Sequence, residues 1–109
     1  MTKRIAFKMK LKAGQAQEYK KRHDEIWPQL KEIISTSGVY DYSIFLDEET
    51  NILFATQKIN EDNYTGVSSQ DLGINPVVQK WWAYMADIME CNDDKSPVTI
   101  TLKEVFHLP

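Results

Sequence analysis

Several residue types that would identify a specialised class of protein are scarce in this sequence. Its one cysteine, Cys91, cannot form an internal disulfide, which favours a reducing compartment. Two histidines and one cysteine are a poor supply of zinc ligands, so we predict no metal site. No stretch is long and apolar enough to span a bilayer, and the first residues lack the apolar run of a signal peptide. We therefore expect a cytoplasmic protein with no membrane partner.

Basic charge and nucleotide-binding motifs are also absent. The net charge is −3 and no basic stripe is present, so we expect no nucleic-acid partner. The sequence has no glycine-rich phosphate loop and no nucleophile elbow. Together with the missing metal ligands, these absences narrow the chemistry to proton transfer without a cofactor.

Aromatic residues, by contrast, are abundant. The 109 residues fit one domain, 1–109, and include three tryptophans, five tyrosines and four phenylalanines. One small core cannot easily bury so many large rings. Some of them are therefore expected to line a pocket or an interface.

The spacing of apolar residues predicts a βαββαβ order. Alternation of apolar and polar residues predicts strands over residues 4–11, 39–46, 52–59 and 98–108. Spacings of three and four predict helices over residues 19–34, with a kink or restart at Pro28, and from Val77 to the polar run 91–94. A further short helix is predicted to begin after Asn60. On the second strand, Tyr40 and Tyr42 are predicted to share one face.

This order predicts the α+β class and a ferredoxin-like fold, an antiparallel sheet with both helices on one side. The other face of the sheet then needs a cover. It carries aromatic and β-branched residues, so a second copy of the chain is the natural cover. We therefore expect a homodimer.

Tyr19 and His23 are the first candidate site residues. They are four residues apart on one helix, so their side chains lie on the same face, one turn apart. An imidazole can give or take a proton near neutral pH, and a phenol can hold a hydroxyl group. The same spacing also fits two core residues, and spacing alone does not separate the two interpretations.

Trp81, Trp82 and Tyr42 are the next candidates. Adjacent helical residues point about 100° apart, so one tryptophan can pack in the core while the other closes a pocket. Aromatic plates of this kind hold the apolar face of a sugar ring, but the pair taken alone fits two core tryptophans better. Tyr42 reaches the space near His23 if its strand face looks at the helices; otherwise it belongs to the subunit interface.

Two residues near the C-terminus are less clear candidates. Glu104 interrupts the apolar side of the last predicted strand, where a buried carboxylate would need a partner. It is either a pocket residue or a sign that the strand has reached solvent. His107 is predicted to be exposed.

Several segments together resemble the L-rhamnose mutarotase family. They are, in chain order, EYKKRHDEIWPQL, YDYSIFLD, NILFAT, QKWWAYMADIM and SPVTITLKEVFHLP. The likeness runs from Ile5 to Pro109, and its most specific pieces are RHDEIWP and WWAYM. The sequence departs from the family in SSQDLGINPVV, residues 68–78, which looks several residues longer than usual.

The resemblance implies a dimeric α+β barrel, in which the sheets of two subunits cover each other. It implies that His23 is the catalytic proton donor and that Tyr19 and Tyr42 bind substrate. It also implies that Trp81 and Trp82 contact the sugar, L-rhamnose.

Mutarotation requires that the ring oxygen accept a proton while the anomeric hydroxyl loses one. We hypothesise that protonated His23 serves the ring oxygen, with Tyr19, Tyr42 or a water at the anomeric hydroxyl. Neither a metal nor an organic cofactor is needed. One alternative is a haem-degrading or cofactor-free monooxygenase, since these share the barrel class. The other is a non-catalytic sugar-binding dimer.

Overall fold

Four strands and three helices lie within residues 2–60 and 75–109, which the computed structural model of the chain describes. In chain order they are β1 Thr2–Lys10, α1 Ala16–Asp24, α2 Pro28–Thr36, β2 Val39–Asp47, β3 Ile52–Asn60, α3 Pro76–Met85 and β4 Ile100–Leu102. Within these residues, no helix combines the length and the apolar character needed to cross a membrane. The short helix predicted after Asn60 and most of the long segment 68–78 lie outside the described residues.

The strands form one sheet in the order β2-β3-β1-β4, and all neighbours are antiparallel. The inner face of the sheet, the face toward the helices, contributes Met9, Leu53 and Ala55 to the core. The helices contribute Leu30 and Val78 to the same core. The predicted α+β class and ferredoxin-like topology are therefore confirmed.

The predicted restart at Pro28 is confirmed, because α1 ends at Asp24 and α2 begins at Pro28. Proline disfavours helical backbone in the residue before it, and Trp27 is extended, with φ −60° and ψ 131°. The proline itself is tolerated at the first helical position, where its missing N–H is not needed. The break turns Trp27 toward α3, where its ring meets Trp81 at 5.1 Å.

The predicted orientation of Tyr40 is wrong. A bulge interrupts the pairing of β2 and β3 between Tyr40 and Ser43, where Asp41 has a positive φ of 48°. A bulge adds one residue to one strand and so breaks the alternation of side chains. Tyr42 consequently lies on the inner face, whereas Tyr40 is exposed on the outer face, the side away from the helices.

The last helix is shorter than predicted and ends at Met85. Ile88 and Met89 are buried, as their spacing suggested, but they leave the helix to pair with the end of β1. The Lys12 N–H donates to the Ile88 carbonyl at 2.8 Å, and the Glu90 N–H donates to the Lys10 carbonyl at 3.1 Å. The helical spacing of buried residues therefore extends beyond the end of the helix.

The predicted last strand, 98–108, is also too long, since β4 covers only Ile100–Leu102. The residues after Leu102 form neither helix nor strand. They still carry large apolar side chains, and those of Val105, Phe106 and Leu108 are among the most exposed in the described chain. Apolar and polar residues do alternate over 98–108, but only three residues of this segment pair with β1.

Candidate active site

A cavity of about 930 Å³ lies between the inner face of the sheet and the helices. All five predicted site residues line it: Tyr19, His23, Tyr42, Trp81 and Trp82. Tyr42 reaches this space because the bulge in β2 turns it inward. Most of the remaining wall is apolar, including Phe7, Ile44 and Met85.

His23 is fixed by Tyr19, one turn earlier on α1. The two rings stack at 4.2 Å, and His23 Nδ1 lies 3.0 Å from the Tyr19 backbone carbonyl. A carbonyl oxygen only accepts, so Nδ1 carries the proton in this bond. In the neutral imidazole, Nε2 is then the nitrogen that can accept a proton.

Burial shifts the proton affinity of both rings. The apolar surroundings of His23 lower its pKa, against smaller opposing effects of the Tyr19 carbonyl and Asp24. Burial also raises the pKa of Tyr19, with a smaller contribution from Tyr42. Tyr19 therefore stays a neutral phenol, and a proton added to His23 is held less tightly than on an ordinary histidine.

The adjacent tryptophans differ in burial, as their 100° separation predicted. Trp81 is buried in the core, and Trp82 is half-buried at the cavity wall. The Trp81 ring contacts His23 edge to face, with centroids 5.5 Å apart and planes at 85°. Trp81 therefore shapes the wall behind the imidazole.

The sequence did not reveal four further residues that line the cavity. Lys31, Glu48, Cys91 and Ser96 line it and come from α2 and from two separate turns. No shared spacing links these positions, so no sequence pattern could have grouped them. Burial raises the pKa of the Cys91 thiol, which keeps it in the weakly nucleophilic protonated form.

The C-terminal candidates lie elsewhere. Glu104 and His107 line a separate depression of about 290 Å³, together with Lys3 and Arg4 at the start of β1. His107 is exposed, as predicted. Within the described residues, no three of the side chains of histidine, cysteine, aspartate and glutamate cluster in a way that could hold a metal ion.

Comparison with known proteins identifies the family. The sequence profile of the L-rhamnose mutarotase family matches residues 4–108. The L-rhamnose mutarotase of Phocaeicola vulgatus is 63% identical over 106 residues, covering 97% of this chain and 98% of that protein. The chain belongs to the L-rhamnose mutarotase family. The enzyme of that name from Bacteroides thetaiotaomicron is 60% identical over 106 residues, covering 97% of this chain and 98% of the relative.

A crystal structure of an L-rhamnose mutarotase from Formosa agariphila has the same fold. It superposes with a TM-score of 0.86 at 54% identity, over 98% of this chain and 99% of that one. The family resemblance predicted from RHDEIWP and WWAYM is therefore confirmed. The monooxygenase alternative rested on the barrel class alone, and membership of the L-rhamnose mutarotase family now favours the mutarotase interpretation over it.

Proposed function

We propose that the chain is a sugar mutarotase, an isomerase that interconverts the α and β anomers of L-rhamnose in rhamnose catabolism. The observation that carries this proposal is His23, whose half-buried imidazole borders an aromatic cavity large enough for a sugar. Family membership supports the reaction and the substrate. The cavity chemistry supports the roles of individual residues.

His23 is the residue proposed to move the proton at the ring oxygen. Ring opening requires a proton on that oxygen, and ring closure removes it again. The ring oxygen keeps its place while the carbonyl carbon turns over, so one group can serve both steps. The imidazolium form donates the proton on opening, and the resulting imidazole takes it back on closure.

Tyr19 is proposed as a substrate-holding residue and not as the base at the anomeric hydroxyl. Its raised pKa keeps the phenol protonated, so it can offer a hydrogen bond but is a poor proton acceptor. The anomeric proton therefore passes to water, which Tyr42 can hold by a hydrogen bond in the same cavity. No metal or organic cofactor is needed for either transfer.

Trp81 and Trp82 are proposed to contact the sugar together with Tyr42. L-rhamnose is a deoxysugar, so its methyl group and the apolar faces of its ring can lie against aromatic walls. Phe7 and Ile44 extend that apolar surface along the sheet. A few hydroxyl-binding groups in an apolar pocket are the usual arrangement for a small ligand.

A homodimer is proposed as the working form, acting in the cytoplasm. On the outer face of the sheet, Phe45 is 63% exposed, and Phe54 and Ile100 are also exposed. A large apolar patch of this kind marks an interaction surface. The single cysteine, half-buried Cys91, suits a reducing compartment.

Saturation transfer between the anomeric proton signals of L-rhamnose tests the reaction directly. The purified chain is expected to speed exchange above the rate in buffer, and the His23→Gln variant is expected to lose most of that gain. Bound rhamnose with exchange at the solvent rate would make the chain a non-catalytic sugar-binding protein. Equal exchange in wild type and His23→Gln, both above the rate in buffer, would show that His23 is not needed although the chain is a mutarotase.

A further inference from the structure

Arg22, the residue before His23, forms a bridge between α1 and the end of α3. Its Nη1 donates to the Tyr84 carbonyl at 2.8 Å and to Asp87 Oδ1 at 2.8 Å, and its Nη2 donates to Asp87 Oδ2 at 3.2 Å. Its Nε donates to Glu18 at 2.9 Å. These bonds use four of the five N–H donors of the guanidinium.

The guanidinium is also packed against an aromatic ring. Its central carbon lies 4.3 Å from the centroid of the Tyr84 ring. The Arg22 side chain is only 10% exposed, although that of Asp87 is 65% exposed. Arginine suits this position because its planar fork satisfies a carboxylate and a carbonyl while its face stacks on the ring.

Tyr84 connects this bridge to the wall of the cavity. Its ring stacks on Trp27 at 5.7 Å and meets Trp81 at 5.8 Å. Trp81 in turn contacts His23. The chain of contacts therefore runs from Arg22 through Tyr84 and Trp81 back to the residue that follows Arg22 in the sequence.

We infer that Arg22 is a positioning residue, which sets the placement of His23 against Trp81 by clamping α1 to the end of α3. The effect on catalysis rests on the proposed function. The clamp, by which we mean the contacts of Arg22 with Tyr84 and Asp87, can be tested separately by NMR of His23. Small displacements of a catalytic group cost large factors in rate, because proton transfer needs close and aligned atoms. Arg22 lines no part of the cavity, so it acts through its neighbours.

The clamp is charged throughout the range in which His23 titrates. The hydrogen bonds with Asp87 raise the pKa of Arg22, and those same bonds lower the pKa of Asp87. Loss of the clamp therefore has to be introduced by substitution. Arg22→Gln removes the fork and the charge, and Asp87→Asn removes one anchor from an exposed position.

Lys21→Gln is the matched control, since it removes one positive charge from an exposed position on the same helix. Arg22→Lys tests whether charge alone is enough. We expect Arg22→Gln to lower kcat about tenfold or more with a smaller change in KM. Asp87→Asn should have a weaker effect in the same direction, Arg22→Lys should recover only part of the loss, and Lys21→Gln should match wild type.

The ring proton signals of the two histidines separate positioning from loss of folded protein. The His23 signals, assigned by their absence in His23→Gln, sense the ring currents of Tyr19 and Trp81. They are expected to shift in Arg22→Gln and Asp87→Asn but not in Lys21→Gln, with the His107 signals unchanged. Unmoved His23 signals in both clamp variants would overturn the inference, whether or not the wild type is active. So would a folded Arg22→Gln with wild-type kcat. Exchange at the solvent rate in the wild type, with shifted His23 signals in the variants, would overturn only the proposed function.

Discussion

The two faces of the sheet differ in how much of their apolar surface is covered by the rest of the described chain. The inner face is covered by the helices and carries the buried core, and the cavity lies between the two. The outer face carries aromatic side chains that remain exposed, such as Phe45 and Phe54. The strands are the same, so the difference arises from the alternate residues and from what packs against them.

This contrast assigns different tasks to the two faces. The proposed proton transfer takes place on the inner side of the sheet, where α1 carries His23 and Tyr19 and burial shifts the pKa values of both. The outer face and the exposed segment after Leu102 hold apolar surface without a cover in the described chain, with Val105 89% exposed. Association of two copies would bury that surface, so we expect the contribution of the outer face to stability to depend on protein concentration.

Breaking the outer face is expected to have the largest effect. Phe45→Asp puts a charge on the proposed interface, and a charge desolvated there without a partner is costly. We expect sedimentation to give a dimer for the wild type and a monomer for Phe45→Asp. Gln29→Asp, at an exposed position of α2, adds the same charge and should stay dimeric. A monomeric wild type, or a Phe45→Asp dimer, would refute this use of the outer face.

Neighbouring residues of β3 compare the two faces directly. Leu53 on the inner face is 1% exposed, so Leu53→Ala should lower the free energy of unfolding by about 2–5 kcal/mol. Phe54 lies on the outer face, and the cost of Phe54→Ala should grow with protein concentration if a second copy covers it. Denaturant titrations at two protein concentrations measure both. A Phe54→Ala cost that is independent of concentration would argue against that cover.

The helices and the sheet face that they cover were largely predictable from the sequence, because local rules act there. Spacing of four on a helix stacks Tyr19 on His23, and Pro28 sets where α2 begins. The hairpin of β2 and β3 follows from alternation on both sides of a polar turn. The orientation of Tyr40 was not predictable, because Asp41 inserts a bulge that alternation cannot register.

The rest of the fold depends on distant partners that spacing does not encode. Arg22 meets residues 62 and 65 positions away in the sequence, so local spacing could not predict these contacts. Met89 keeps a helical spacing but pairs with Leu11 at the end of β1. The residues after Leu102 alternate like a strand and find no strand neighbour among the described residues.

Titration of His23 sharpens the assignment of proton chemistry to the inner face. The pKa of His23 lies below 6.5 in the folded chain, because burial disfavours the imidazolium. If the imidazolium donates to the ring oxygen, kcat should rise as the pH falls through this lowered pKa. Between that pKa and 6.5 the unfolded chain binds more protons than the folded chain. The free energy of unfolding should therefore decrease as the pH is lowered through this range.

Anomer exchange and denaturant titrations from pH 8 to pH 5 check both trends. The His23→Gln variant should lose its part of the stability slope and the rise in kcat. An activity that falls as the pH falls below 6.5 would assign His23 to the base role in ring opening.

The smallest effect is expected at Gln57, a buried residue that departs from the apolar character of the inner face. Its side chain is 1% exposed, and neither its Oε1 nor its Nε2 has a hydrogen-bond partner within the described part of the chain. A buried amide without partners destabilises the folded state, and methionine has a similar shape without that demand. Gln57→Met should therefore raise the free energy of unfolding by about 1 kcal/mol in denaturant titrations. Gln29→Met, at an exposed position, should change it by less than about 0.5 kcal/mol. Destabilisation by Gln57→Met would mean that the amide is satisfied in solution, and that the inner face contains a polar contact beyond the cavity.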